Sequence, residues 1–255
     1  MKQGRHVQSR QLMTLQQYIQ KFGSKLDQSG LRRSRPILVC PACTVSLHTV
    51  GENNAGTTDA FFAHDRIENG KREPFCPLKE SGSKKYDGLT PTHPNVQSGI
   101  LLRDSFMNNW RKHWALIKRY VEYPDIYPFI NAIKHLDDSR TWQHKGLREE
   151  LVSYIILSLL EFAPPTGKVA GARKVTYRFW FDGTVRTIED LWMRTTGEFT
   201  LIRASYLPPA KPHGKLTTFI ECHDVPLYLG FLNLPLLTLP HPAQVVAMSK
   251  AFGTQ

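Results

Sequence analysis

The sequence predicts an α+β fold: a basic helical arm, a small ribbon module, a helical middle and a C-terminal β-rich part. Three observations lead there. A Cys-x-x-Cys pair, Cys40 and Cys43, stands between two strand-like runs. Apolar residues recur at helical spacing through 98–162, and alternation of the strand type sets in at Val175. The expected division is 1–35 for the arm, 36–80 for the ribbon and 98–255 for a mixed domain, helical over 98–162 and β-rich over 175–225.

In the arm, Leu12, Leu15, Tyr18, Ile19 and Phe22 follow a helical period, so a helix is expected from about Ser9 to Phe22, ended by Gly23. Its apolar stripe must dock on this chain or on a partner. The SGLRRSRP segment that follows reads as a basic linker. Residues 1–36 carry eight lysines and arginines against Asp27 alone, a net +7. Such an arm can grip phosphates, or it can be a solvated linker with a surface helix.

The ribbon begins with Ile37, Leu38 and Val39, turns through Cys40-Pro41-Ala42-Cys43 and returns as a strand from Thr44 to Val50. Two cysteines separated by two residues can aim both sulfurs at one point, which is what a tetrahedral zinc ion requires. His64 and Cys76, each following aromatic residues (Phe61, Phe62, Phe75), are the nearest candidates for the other two ligands. The expected structural zinc site is therefore Cys40, Cys43, His64 and Cys76. His48 is a substitute candidate, but its place in an apolar strand favours an exposed or ordinary partnered histidine. A thioredoxin-type redox pair would need the motif to open a helix, whereas the residues after Cys43 read as strand and a Gly/Asn-rich loop.

Residues 79–99 are polar and turn-rich, hence a loop. A helix is expected from about Ser98 to Tyr120, with Phe106, Trp110, His113 and Trp114 on its core face rather than forming a stacking platform for bases. Ile126–Leu136 should be a short helix. Gly146–Phe162 should be a buried one, its Glu149 and Glu150 placed in the first turn for the helix dipole rather than for catalysis. Val175–Phe181 alternates, Asp182-Gly183 reads as a hairpin turn, and Thr184–Ile188 as its return strand. Further strands are expected near Phe199–Ser205 and Leu216–Cys222, with Cys222 an ordinary strand-end cysteine. The apolar, proline-punctuated tail reads as irregular structure.

With 255 residues, 41% hydrophobic, the chain is long enough to bury a full core. It has no apolar run of membrane-spanning length and no signal-peptide core at its polar start. Four cysteines, two of them in a metal-type knuckle, do not form a disulfide framework, and a reducing cytoplasm is the expected compartment. The net charge of +11 favours anionic partners: nucleic acid, DNA or RNA, or else an acidic protein. Lys21, Arg32, Arg33, Arg35, Arg111 and Lys112 are the candidate phosphate contacts.

The order Cys-Pro-x-Cys, a strand, then Phe61-Phe62-Ala63-His64 resembles the N-terminal zinc-finger-like segment of competence CoiA-like proteins. It also resembles the zinc-ribbon proteins carried on bacterial mobile elements. The first family's His-Phe-x-His signature lacks its first histidine here, which leaves Cys76 to complete the ligand set. The likeness covers about a sixth of the chain, and implies a bacterial mobile-element or defence setting. It does not reach the nuclease domain of the CoiA-like proteins: no Glu-x-Lys follows the ribbon in a strand, as a magnesium-dependent nuclease of the restriction type would require. Phosphate-loop, nucleophile-elbow and His-Glu-x-x-His motifs are absent too. The expectation is a non-catalytic zinc-ribbon protein that binds nucleic acid. An adaptor for an acidic protein is the alternative, and a nuclease related to the CoiA-like proteins the third.

Overall fold

Among the described residues, helical and alternating stretches sort, in the computed structural model, into six α-helices and two antiparallel sheets, an α+β architecture. The structure describes residues 1–52, 60–66, 76, 78, 88–165, 173–193, 199–208, 219–236 and 238–253. The chain divides into two units. The first comprises Met1–Lys84, Asp182–Thr184 and Ala204–His223; the second comprises Lys85–Phe181, Val185–Arg203 and Asp224–Gln255.

In the first unit the chain starts as strand, not as an arm. Strands β1 (Gln3–His6) and β2 (Leu12–Thr14) pair antiparallel, and helix α1 (Leu15–Phe22) begins only after them. Thr14 explains the late start: its hydroxyl accepts from Gln17 N–H while the Gln17 side chain accepts from Thr14 N–H, a capping box that fixes the first turn. Gly23, at φ 79°, ends the helix as expected. The apolar stripe docks on this chain, with Leu15 and Tyr18 buried and the Tyr18 ring edge-on to Phe62.

Strands β3 (Leu38–Val39), β4 (Ser46–Val50) and β5 (Phe61–His64) extend the sheet in the order β2-β1-β3-β4-β5. Met1 and Phe62 exchange backbone hydrogen bonds (2.7 and 2.8 Å), so β5 meets the start of the chain on its outer side. Gly4 makes the close packing possible, since a Cβ there would lie 3.0 Å from both Leu38 and Leu47 side chains.

The second unit is built around α2 (Val96–Tyr120), α3 (Ile126–Asp138) and α4 (Glu149–Leu159). Phe106, Trp110, His113, Trp114 and Ile117 are all buried, so the aromatic face of α2 is core. Helix α4 is buried along its whole centre, Leu151–Ser158, but it stops at Leu159 and the chain continues as a two-residue strand, β6 (Glu161–Phe162). Strand β7 (Thr176–Phe181) follows the predicted alternation. The return strand expected after Asp182-Gly183 does not form; the chain turns into a four-residue helix, α5 (Asp190–Met193). Asp182 is the reason: it accepts from the backbone and hydroxyl of Thr184, which curls the chain rather than pairing it.

Strands β8 (Leu201–Tyr206) and β9 (Phe219–Val225) complete a second sheet of order β6-β7-β8-β9. The boundary between the units runs through these two strands, after Arg203 and after His223. The tail, expected to be irregular, holds a helix, α6 (Pro242–Phe252). Pro242 sits in its first turn, and His241 caps it together with Gln244, whose Oε1 also accepts from Trp114 Nε1–H at 3.0 Å. Among the described residues no helix is long and apolar enough to cross a membrane.

Candidate metal centre

The knuckle is shaped by its own backbone. Cys40 N–H donates to Val45 O (2.8 Å), and Thr44 N–H donates back to Cys40 O (2.9 Å), so the chain reverses around the two sulfurs. The reversal puts Thr44 at φ 61°, a conformation costly for a β-branched residue and held only where surroundings impose it. Gly183 is part of those surroundings. A Cβ on it would lie 2.9 Å from both the Cys43 carbonyl carbon and the Thr44 methyl, so only glycine admits this approach.

Strand β5 brings His64 opposite Leu47 of β4, and Cys76 enters from beyond it. The ligand atoms of Cys40, Cys43, His64 and Cys76 all lie within 4.8 Å of one another, a group that can hold a metal ion. Cys40 Sγ stands 3.6 Å from Cys76 Sγ, and Cys43 Sγ 3.4 Å from His64 Nε2. Cys40 and Cys76 are buried, with Met1 Sδ 3.7 Å from the Cys40 sulfur. All four cysteines of the chain are free thiols in the structure.

Electrostatics make the group unusual. Burial, reinforced by the neighbouring sulfurs, pushes the Cys40 thiol well above its ordinary range. Cys76 goes the opposite way: hydrogen bonds from Cys40 and Cys43 hold it far below the usual thiol range. The same sulfurs, Cys43 foremost and Cys76 next, push His64 up to about 10. In this arrangement the protonated His64 is the positive partner of the sulfurs; a metal ion among the four groups would take over that role, favouring thiolates and a neutral, ligating imidazole.

The remaining predicted residues separate. His48 is not in the group; it is half exposed and donates to Asp65 Oδ1 at 2.8 Å. Cys222 is buried in β9 and outside it. Arg35 is turned inward. Its guanidinium donates to Glu52 (2.6 Å), Gly23 O (3.1 Å) and Thr49 Oγ1 (3.1 Å), and lies over the Tyr18 ring. Lys21 lies over the ring of Phe22, and Arg32 and Arg33 are exposed. Arg111 and Lys112 belong to the other unit, where Arg111 lies over Trp110 and Lys112 donates to Leu232 O. Sequence reasoning missed Thr44 and Gly183 as parts of the knuckle. The Asp-Gly pair signalled a turn, but nothing in the sequence linked it to residue 43.

No protein-family model, no curated protein and no solved structure matches the chain.

Proposed function

We propose that the cluster holds a structural zinc ion, and that the unit it braces binds nucleic acid without catalysing a reaction on it. The observation that carries the metal assignment is the donor set and its spacing. Three thiolates and an imidazole are soft to borderline ligands that favour zinc over magnesium or calcium. Ligands at about 2.3 Å (sulfur) and 2.0 Å (nitrogen) around a tetrahedral ion stand roughly 3.5–3.8 Å apart, and the sulfur–sulfur and sulfur–nitrogen separations of 3.6 and 3.4 Å lie close to that. Four protein ligands leave no open position for a substrate, the pattern of a structural rather than a catalytic site.

The nucleic-acid reading is supported by the charge. The chain carries +11, and residues 1–36, in the same unit as the cluster, carry +7 of it. Elemental analysis of the purified chain tests the metal: one zinc per chain is expected, lost in both Cys40→Ser and Cys76→Ser. Retention of zinc in Cys76→Ser would remove that residue from the ligand set. Filter binding at low and moderate salt tests the partner, with binding that weakens steeply as salt rises expected. No retention of DNA or RNA at low salt would overturn the nucleic-acid reading and favour an acidic protein partner.

A further inference from the structure

Beside the knuckle, the first unit holds a groove of about 360 Å³ between the chain from Arg32 to Ile37 and strand β4. Its apolar floor is made by Leu38, Leu47 and Phe62, with Tyr18 beside them under the Arg35 guanidinium, all four side chains nearly or fully buried. Its rim is cationic. Of the nearby acidic groups, Glu52 is held by Arg35 and by Lys25 N–H, Asp65 by His48, and Asp27, which feels the charge of Arg33, accepts from Ser29 and from Leu31 N–H. Lys25, Arg32 and Arg33 line the groove and form no side-chain ion pair among the described residues. Three positive side chains thus face an opening whose own carboxylates are already engaged.

We infer that this groove takes one unstacked nucleotide of a single-stranded nucleic acid, its base over the apolar floor and the adjoining phosphates on Lys25, Arg32 and Arg33. The inference rests on the nucleic-acid reading above and narrows it. A cationic rim alone would serve any polyanion. An apolar floor below it serves a ligand that carries a flat apolar part beside each charge, and a nucleotide does. In a duplex the bases are stacked and paired inside, so only a single strand can present one to a pocket of this kind. The volume lies near the lower end of the ~300–1,000 Å³ typical of small-ligand sites, room for one unit rather than several. The hydroxyls of Ser34, Ser46 and Thr49 also line the groove and offer hydrogen-bonding groups between floor and rim.

The test is fluorescence anisotropy of the metal-loaded full chain with labelled oligothymidylate of about 12 nucleotides and with a duplex of equal length, at about 50 and 200 mM salt. The single strand is expected to bind more tightly than the duplex. The triple variant Lys25→Ala, Arg32→Ala, Arg33→Ala should bind at least tenfold more weakly. Its log–log salt dependence should be shallower by about 2, since each lost phosphate contact on a single strand removes about 0.7. Unchanged metal content and melting temperature establish that the variant is folded, and Arg32→Lys with Arg33→Lys should restore most of the affinity. Lys134→Ala with Lys250→Ala, which removes charge from the other unit, should stay within twofold of the parent. If the parent binds and the triple variant binds equally well, the groove is wrong while nucleic-acid binding stands. An equal loss in the Lys134/Lys250 variant, or tighter binding of the duplex, also overturns the groove. No binding by the parent at low salt overturns both readings.

Discussion

Helix α4 buries eight consecutive residues, Leu151–Ser158, and around it the second unit packs Trp110, Trp114, Phe129 and Phe181. The five-stranded sheet of the first unit has strands of only two to five residues, and its central residues are a few side chains: Met13, Leu38, Leu47 and Phe62, with the cysteines. Surface-to-volume scaling separates the two cases. A large apolar core offsets the entropy of ordering its chain, whereas a small β module needs a metal, disulfides or a partner in addition. The first unit has no disulfide, and it carries the metal-type cluster.

Metal removal should break the comparison most sharply. Structural zinc sites contribute on the order of 10–16 kcal/mol of apparent binding energy in small domains. Chelation, or Cys40→Ser, is therefore expected to abolish hydrogen-exchange protection in β1–β5 while α2 and α4 keep theirs. Simultaneous loss in both units would contradict independent support. The converse experiment is Trp114→Ala, which removes a fully buried indole and its bond to Gln244. A loss of about 4 kcal/mol is expected in the urea transition that reports α2 and α4, with metal content unchanged at one per chain.

Glu52→Gln sharpens the comparison inside the first unit. The Arg35–Glu52 pair is almost wholly buried, with side chains 9% and 2% exposed, and neutralising one partner strands the other's charge. About 3 kcal/mol should be lost, read as a lower melting temperature of the first unit; no change would mean that water reaches the pair.

The smallest effect concerns pH. Burial holds His113 below its ordinary value of 6.5, against the hydrogen bond from its Nε2–H to Glu149 Oε1 (3.0 Å). The unfolded chain therefore takes up this proton first, so stability is full above pH 6.5 and declines as pH falls below it. The slope is at most about 1.4 kcal/mol per pH unit. Burial raises Glu149, but hydrogen bonds from His113, Ser105 and Asn109 outweigh it and leave the carboxyl low, which adds loss in the same direction at more acidic pH. His113→Gln should flatten the dependence of melting temperature on pH between 7 and 5, and an unaltered slope would assign it elsewhere.

What the sequence revealed depended on how local the cause was. The knuckle, strand β4, helices α2 and α3 and the buried centre of α4 are set by neighbouring residues, so periodicity and turn chemistry sufficed. Strand β1 was not legible because Lys2-Gln3-Gly4-Arg5-His6 carries no apolar alternation; its place comes from Gly4 lying against Leu38 and Leu47. Strand β2 was hidden because Leu12 fits the helical stripe of α1, and only the Thr14 cap separates them. Helix α6 was masked by prolines that read as breaks, although Pro242 begins it. Arg35 looked like its neighbours Arg32 and Arg33, and only the fold brings Glu52 beside it.

The first unit is assembled from three separated stretches, and this bears on its history in time. Its last strand reaches back to its first, Cys222 N–H donating to Gln3 Oε1 at 2.7 Å. Cys222 follows Cys76 by 146 residues, an interval of about 7–30 s at ~5–20 residues per second of synthesis. All four candidate ligands thus leave the ribosome well before the unit can be finished. Under the metal-binding reading, a nascent chain that captures an ion early would hold a preformed template on which β9 closes later. One that misses it would leave the three thiols of the cluster without an ion throughout that interval, before β9 arrives.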